Sequence, residues 1–267
     1  MIRVGVLGAC GRMGSTVCAA LAAADDLELV AAVDPRSDGA RVAVPAASDL
    51  TIAQSIAALE SAGAEVAIDF TGPAAALENL EWCATHGVHA VCGTTGIDAA
   101  GLERLGAAFG PPERPNAVLA SNFSISAVVM MRLAELAAPF FDGVEVIELH
   151  HDQKRDAPSG TALETARRIA ASRAASGAGP FGPDPTTTLA CEGARGGVSA
   201  AGIHVHSVRL PGLVAHQEVL FGGPGQSLLI RQDSYDRSSF MPGVLLATRR
   251  VASTPGLTVG LDALLAI

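Results

Sequence analysis

The residues best able to do chemistry lie in one run, Glu148-Leu149-His150-His151-Asp152-Gln153-Lys154-Arg155-Asp156-Ala157-Pro158-Ser159-Gly160-Thr161. Imidazole titrates closest to neutral pH, so the His pair suits acid–base work. Lys154 adds a compact cation that can bind a carboxylate or give up a proton. It is the single lysine among 18 basic residues, the other 17 being arginine. Ser159 reads as the N-cap of a following helix, which puts the Gly160 and Thr161 N–H groups at an anion-binding helix start. Adjacent residues on a strand point to opposite faces, so His150 and His151 cannot chelate one metal from a regular strand. No Cys or His partner lies at zinc spacing. Taken alone, the same run would also serve as a solvated polar loop.

A second group of residues has the spacing of a nucleotide cradle. Gly8-Ala9-Cys10-Gly11-Arg12-Met13-Gly14 joins an apolar run to an amphipathic one, which places glycines in a strand–turn–helix. Glycines let the backbone approach a pyrophosphate, and the helix start binds it. The spacing is G-x-x-G-x-x-G, a variant of the usual fingerprint, and a tight turn that binds nothing has the same letters. Asp34 follows about 20 residues after Gly14, where an acid meets the adenine ribose hydroxyls. Arg12 or Arg36 would suit a 2′-phosphate that Asp34 would repel, so NADH and NADPH are both open. Gly93-Thr94-Thr95-Gly96 and Ala120-Ser121-Asn122-Phe123 each close a later strand, on the edge that faces the ligand crevice in a doubly wound sheet. A cradle and a helix start beside a His pair suggest a dicarboxylate substrate and a dinucleotide.

The elements that must position these residues follow from periodicity. Arg3–Leu7, Leu27–Val33, Glu65–Phe70, His89–Cys92 and Ala117–Ala120 read as buried strands. Between them, Met13, Val17 and Leu21 recur at helical spacing, and Ala74–Thr85 and Asp98–Phe109 read as helices. This alternation predicts an α/β chain with a doubly wound parallel sheet. After Asn122 the pattern changes. Ser126–Ala138 and Thr161–Ala175 read as helices, Val144–Leu149 as a strand, and Val198–Gln232 as strands with a turn at Gly222-Gly223-Pro224-Gly225. Ser207, Arg209 and the Gln217/Val219 alternation suit a half-exposed sheet. Ser238–Val251 is helix-like, and Leu257–Leu261 is an apolar run able to return to the first sheet.

Composition excludes several classes. The chain has 267 residues, 49% hydrophobic and 17% charged, too apolar for disorder. Aromatics are only 4%, so Ala, Val, Leu and Ile must build the core. A net charge of -9 without a basic block argues against nucleic acid. The five cysteines are odd in number and form no C-x-x-C pair, which fits reduced cytoplasmic thiols. Leu7-Gly8-Ala9-Cys10 looks like a lipoprotein cleavage box, but too few apolar residues precede it for an export signal. The longest apolar stretch, Ile125 to Phe141, carries Arg132 and Glu135, so no membrane span is expected.

The run E-L-H-H-x-x-K-x-D-A-P-S-G-T-A resembles the signature of the 4-hydroxy-tetrahydrodipicolinate reductase (dihydrodipicolinate reductase) family, of the diaminopimelate route to lysine. G-A-C-G-R-M-G at 8–14, D-F-T at 69–71, G-T-T-G at 93–96, N-F-S-I at 122–125 and H-S-V-R-L-P-G-L-V-A-H-Q-E-V at 206–219 extend it along the chain. The resemblance implies a Rossmann-like domain, 1–123 plus 234–267, around an inserted α/β domain, 124–233, whose open mixed sheet carries a homotetramer. It implies NADH or NADPH held by Gly8, Ala9, Cys10, Gly11, Arg12, Met13, Asp34, Thr71, Gly93, Thr94, Thr95, Ala120, Ser121, Asn122 and Phe123. His150 would be the proton donor or acceptor and Lys154 a proton donor. His151, Ser159, Gly160 and Thr161 would bind the carboxylates of a cyclic imine. Ser121 replaces the family's usual proline, Asp34-Pro35-Arg36 departs from an acid followed directly by Arg, and Cys10 is unusual in the phosphate loop. Two other classes compete. A nucleotide-binding sensor without catalysis has no need of His150 and Lys154. A semialdehyde dehydrogenase on the same frame needs a Cys nucleophile, and no cysteine neighbours the His pair.

Overall fold

A computed structural model describes residues 1–37, 39–44, 49–110 and 112–267. In chain order the elements are β1 (Ile2–Leu7), α1 (Arg12–Ala22), β2 (Leu27–Val33), α2 (Ala58–Ser61), β3 (Val66–Asp69), α3 (Pro73–Thr85), β4 (His89–Cys92), α4 (Ala99–Phe109), β5 (Ala117–Leu119), α5 (Ile125–Ala137), β6 (Gly143–His150) and α6 (Gly160–Ala175). The chain continues through β7 (Gly197–Val198), β8 (His204–Arg209), β9 (Ala215–Gly223), β10 (Gln226–Ser234), α7 (Met241–Arg250), β11 (Leu257–Val259) and α8 (Asp262–Leu265). They form two compact units, 1–125 with 237–267, and 126–236. The boundaries fall two or three residues beyond those the resemblance implies, at the first turn of α5 and at a tight helical turn, Arg237–Phe240, that leads into α7.

In the first unit six strands run β11-β5-β4-β3-β1-β2, all parallel. β3 and β5 are buried along their whole length, as parallel strands covered on both faces must be. The run at Leu257–Val259 does return, pairing in parallel with Ala117–Leu119. The strand order reverses between β1 and β3, so the ligand crevice of a doubly wound sheet lies outside the carboxyl ends of those two strands. The core is aliphatic as the composition requires, with Leu7, Val33, Leu59, Leu80, Leu105 and Phe109 among its buried members. Helix α1 buries Val17, Cys18 and Leu21 on one stripe, and Met13 is only half-buried.

The second unit holds a five-stranded sheet in the order β10-β9-β6-β8-β7. Only β6 and β8 are parallel, so the sheet is mixed. Val144, Val146 and Glu148 alternate with more exposed residues along β6, which gives it one buried face. Helix α6 turns Ala162, Thr165, Ala166 and Ile169 inward. Gln217, expected on a half-exposed strand, is 2% exposed and donates to Thr165 Oγ1 at 2.7 Å. A polar residue fits that buried face because a threonine waits for it.

Three features escaped the periodicity argument. α2 is a single turn, the bridges Val33–Ala53 and Arg41–Thr51 are isolated pairs, and α8 is one turn near the C-terminus. None is long enough to show a period.

Candidate active site

The β1–α1 turn is built on two glycines. Gly8 has φ +82°, which favours glycine, and a Cβ on Gly14 would lie 2.1 Å from the Gly8 carbonyl oxygen. Helix and turn therefore approach as closely as backbone allows. No side chain caps the first turn of α1, and no acidic residue sits in it. An uncapped helix start at a glycine turn fits a pyrophosphate.

Asp34 lies at the end of β2 and is 1% exposed. Its carboxylate accepts from the Cys10 amide at 3.1 Å, the Arg36 amide at 3.0 Å, and Arg36 Nε and Nη2 at 3.2 Å each. The Arg36 hydrogen bond, ahead of the opposing effect of burial, holds the Asp34 carboxyl below its ordinary range. The acid therefore braces the glycine turn, and a mostly exposed guanidinium neutralises it. Beside it is a cavity of about 610 Å³ lined by Gly8, Asp34, Arg36, Gln54, Phe70 and Thr71 among others. It lies over the ends of β1, β2 and β3. Gln54 and Asn79 in its lining carry no sequence signal.

Two of the remaining expected cofactor positions, Thr71 and Thr94, are drawn together by Asp69, which the sequence marked only as part of D-F-T. Its buried carboxylate accepts from Thr71 N at 2.9 Å, Thr71 Oγ1 at 2.8 Å, Thr94 Oγ1 at 3.0 Å and Asn79 Nδ2 at 2.8 Å. The loops after β3 and β4 are thus tied to one acid. Phe70 packs over Gly93 and against Phe123, with ring centroids 6.1 Å apart. Ala120 and Phe123 are buried, and Ser121 and Thr95 are exposed. Gly93 to Thr95 and Ala120 to Phe123 stand at the carboxyl ends of β4 and β5, outside the lining of the cavity. Burial pushes the Cys18, Cys83 and Cys92 thiols up to about 12, so they are inert packing groups.

In the second unit the polar run takes the expected form. His150 ends β6, and the turn after it returns to α6, with Lys154 N donating to His151 O at 3.2 Å. Ser159 is buried, and its side chain accepts from Ala162 N at 3.2 Å, so it is the N-cap. Gly160 and His151 are exposed and Thr161 is half-buried. Lys154 Nζ is held by Asp156 at 2.7 and 2.8 Å. That bond, opposed by burial, holds the Asp156 carboxyl below its usual range. The Asp156 side chain is 64% exposed, so a competing anion displaces it at small cost.

Two residues of this site had no assigned role in the sequence. Glu148 is fully buried and lies two residues before His150, on the same strand face. It hydrogen-bonds His150 Nδ1 and takes both arms of Arg209, at 2.7 and 2.8 Å. Its Oε1 also accepts from Ser159 N at 3.2 Å. The period-2 spacing of Glu148 and His150 was readable. The role of Arg209 follows from the parallel β6–β8 register, which pairs it with His150.

Burial works against ionisation of Glu148, but its bonds to His150, Arg209 and Ser207 outweigh it and bring the carboxyl down to about 2, from 4.5. In the unfolded chain the ordinary value returns, so folding favours the ionised form. This contribution is complete above about pH 4.5 and is lost as pH falls towards 2. It amounts to about 3 kcal/mol. Urea unfolding of the protein and of Glu148→Gln is expected to differ most near neutral pH. The gap should narrow steadily below about pH 4.5. A gap that stays constant down to about pH 3 contradicts this account.

A doubly wound sheet with a glycine cradle at its switch point, joined to a mixed-sheet domain carrying His, Lys and a capped helix start, has the make-up of a Rossmann-type dinucleotide-binding oxidoreductase. The family comparisons narrow the class. Residues 2–123 match the family described as dihydrodipicolinate reductase, N-terminus, and 126–265 match its C-terminus. The chain belongs to the dihydrodipicolinate reductase family. A protein of Corynebacterium aurimucosum named 4-hydroxy-tetrahydrodipicolinate reductase is 50% identical over 98% of this chain and 97% of its own. One of the same name from Nocardia farcinica is 51% identical over the same shares. The dipicolinate-bound dihydrodipicolinate reductase from Paenisporosarcina sp. TG-14 superposes with a TM-score of 0.86 at 39% identity, covering 98% of this chain and 99% of that one.

Proposed function

We propose that this protein reduces 4-hydroxy-tetrahydrodipicolinate, through dihydrodipicolinate, to tetrahydrodipicolinate, in the diaminopimelate route to lysine. One observation carries the reading. A single segment, 150–161, gathers an imidazole, an ammonium and a capped helix start in a chain whose other domain holds a dinucleotide cradle. The membership of both domains in one reductase family supports it.

The cofactor supplies a hydride to carbon 4 of the imine when it is bound. The residues of this chain do the rest. Gly8, Ala9, Cys10, Gly11, Arg12 and Met13 cradle the pyrophosphate, and Asp34 with Arg36 meets the adenosine end. Thr71, Gly93, Thr94, Thr95, Ala120, Ser121, Asn122 and Phe123 line the course towards the nicotinamide. His151, Ser159, Gly160 and Thr161 bind the substrate carboxylates at the start of α6. A substrate oxygen draws Lys154 from Asp156, and the ammonium protonates the departing hydroxyl at carbon 4, which leaves as water. His150 takes the proton that leaves carbon 3 as the hydroxyl departs, and returns one there once the hydride has reached carbon 4.

Because Arg36 neutralises Asp34, a 2′-phosphate meets a guanidinium before it meets the acid, so both cofactors serve. Assays with the imine and either cofactor are expected to show turnover, and Arg36→Ala should raise KM for NADPH more than for NADH. Absence of oxidation with both cofactors would overturn the reading and favour the sensor. We also assign a cytoplasmic homotetramer. The cross-strand pair Leu220 and Leu229 leaves apolar surface exposed on the β9–β10 edge of the sheet. Light scattering that gives a single-chain mass removes that assignment.

A further inference from the structure

We propose that Glu148 is a positioning residue. Clamped by Arg209, it fixes the tautomer and direction of His150 and anchors the start of α6, so that the proton-transfer group and the carboxylate site are held by one buried acid. The inference rests on the roles given above to His150 and to the α6 start.

The geometry leaves Glu148 no other arrangement. A carboxylate has about four acceptor positions, and here they are taken by His150 Nδ1, Arg209 Nη1 and Nη2, and Ser159 N, with the Ser207 side chain bonding to it as well. The two-armed bond from Arg209 is the strongest geometry available to such a pair. It keeps the acid ionised despite complete burial. An ionised carboxylate only accepts hydrogen bonds, so the hydrogen between it and the ring belongs to Nδ1. Nε2 is then the nitrogen that gives and takes protons. The His150 side chain is 15% exposed, which leaves a tip to meet a substrate and a ring otherwise held by the protein.

Arg209 supports the same conclusion from its other contacts. One arm also reaches the Asp156 carbonyl at 2.7 Å, in the loop that carries Lys154. Its Nε is the one buried side-chain nitrogen or oxygen without a partner among the described residues. An unmade buried bond is costly. The cation is placed for the acid and the loop, at the expense of its own third donor. His150, Lys154 and the α6 cap are therefore all braced by the Glu148–Arg209 pair, although the two residues lie 61 positions apart. A pair that merely tied β6 to β8 would do so equally well with no His at the tip.

The test uses the full chain and nitrogen-15 spectra of the imidazole rings, with the His150 signal assigned by its loss in His150→Gln. The expected result is the Nδ1–H tautomer in the unaltered protein. The Nε2–H tautomer would overturn the proposal without any further variant. In Glu148→Gln the amide can present oxygen or nitrogen to the ring, so a mixed tautomer is expected. A fall in kcat of about 10–100-fold should accompany it. Glu148→Asp keeps the charge and is expected to retain the tautomer and recover part of kcat. If Glu148→Gln does not fold, the Asp variant and the unaltered protein still decide. A lower melting temperature with unchanged tautomer and kcat would make the pair a strut only and overturn the proposal. Unchanged kcat in a folded His150→Gln is a different failure: it removes the proton-transfer role of His150.

Discussion

Lys154→Ala loses between about 10² and 10⁴ of kcat, the range of a positioned proton donor. Even the low end raises the barrier by more than 1.4 kcal/mol. The structure makes this substitution a clean probe. Among the described residues the Lys154 ammonium meets the exposed Asp156 carboxylate and no buried partner. Breaking such a pair changes stability by less than about 1 kcal/mol. A large loss of rate with an unchanged melting temperature is therefore the expected result. Near-normal turnover would take Lys154 out of the mechanism. Lys154→Arg is expected to fail as well, because a planar guanidinium holds its proton and cannot fill the place of a compact ammonium. The composition points the same way. A chain that uses arginine at 17 of 18 basic positions keeps lysine at the one place where the proposed mechanism asks for a proton donor.

Gly14→Ala has the second large effect, on cofactor binding and on stability together. The new methyl group would stand 2.1 Å from the Gly8 oxygen, 2.7 Å from its carbonyl carbon and 2.9 Å from the Ala9 Cα. All three are backbone atoms, so no rotamer change relieves the overlap. Helix α1 must move off the turn, at a cost of about 1–3 kcal/mol or more. The same movement opens the cradle, and affinity for NADH should fall by more than about tenfold, or 1.4 kcal/mol. Fluorescence titration with NADH and urea unfolding read the two effects. Gly106→Ala is the control: nothing lies within 4 Å of its Cβ, and it sits inside α4. There alanine should stabilise by about 1 kcal/mol and leave NADH binding unchanged. Equal behaviour of the two variants would refute the close-approach argument.

The fold was legible because its signals are local. Buried parallel strands read as short apolar runs, and β2 and β4 have the limits that hydropathy alone assigns. The cradle, the Ser159 cap and the segment 150–161 were legible because each functions through neighbours in sequence. α2 and the bridges at Ala53 and Thr51 were not, being too short for a period and held by contacts with distant strands.

The braces behind the site were hidden for the same reason. Asp69 looks like one more strand-end acid until β3 and β4 are paired and Thr71, Asn79 and Thr94 converge on it. Asp34 was expected to face a ribose, and the structure adds a second task that its spacing did not show: it accepts from the Cys10 amide of the glycine turn and from Arg36. The sequence by itself determined which chemical groups this protein owns and on which strand ends and helix starts they sit. Covalent spacing and backbone periodicity are enough for that. Only the tertiary structure decided which acid orients which base. That choice depends on strand register, which brings Arg209 to Glu148 and His150, and register between distant segments leaves no mark on local spacing.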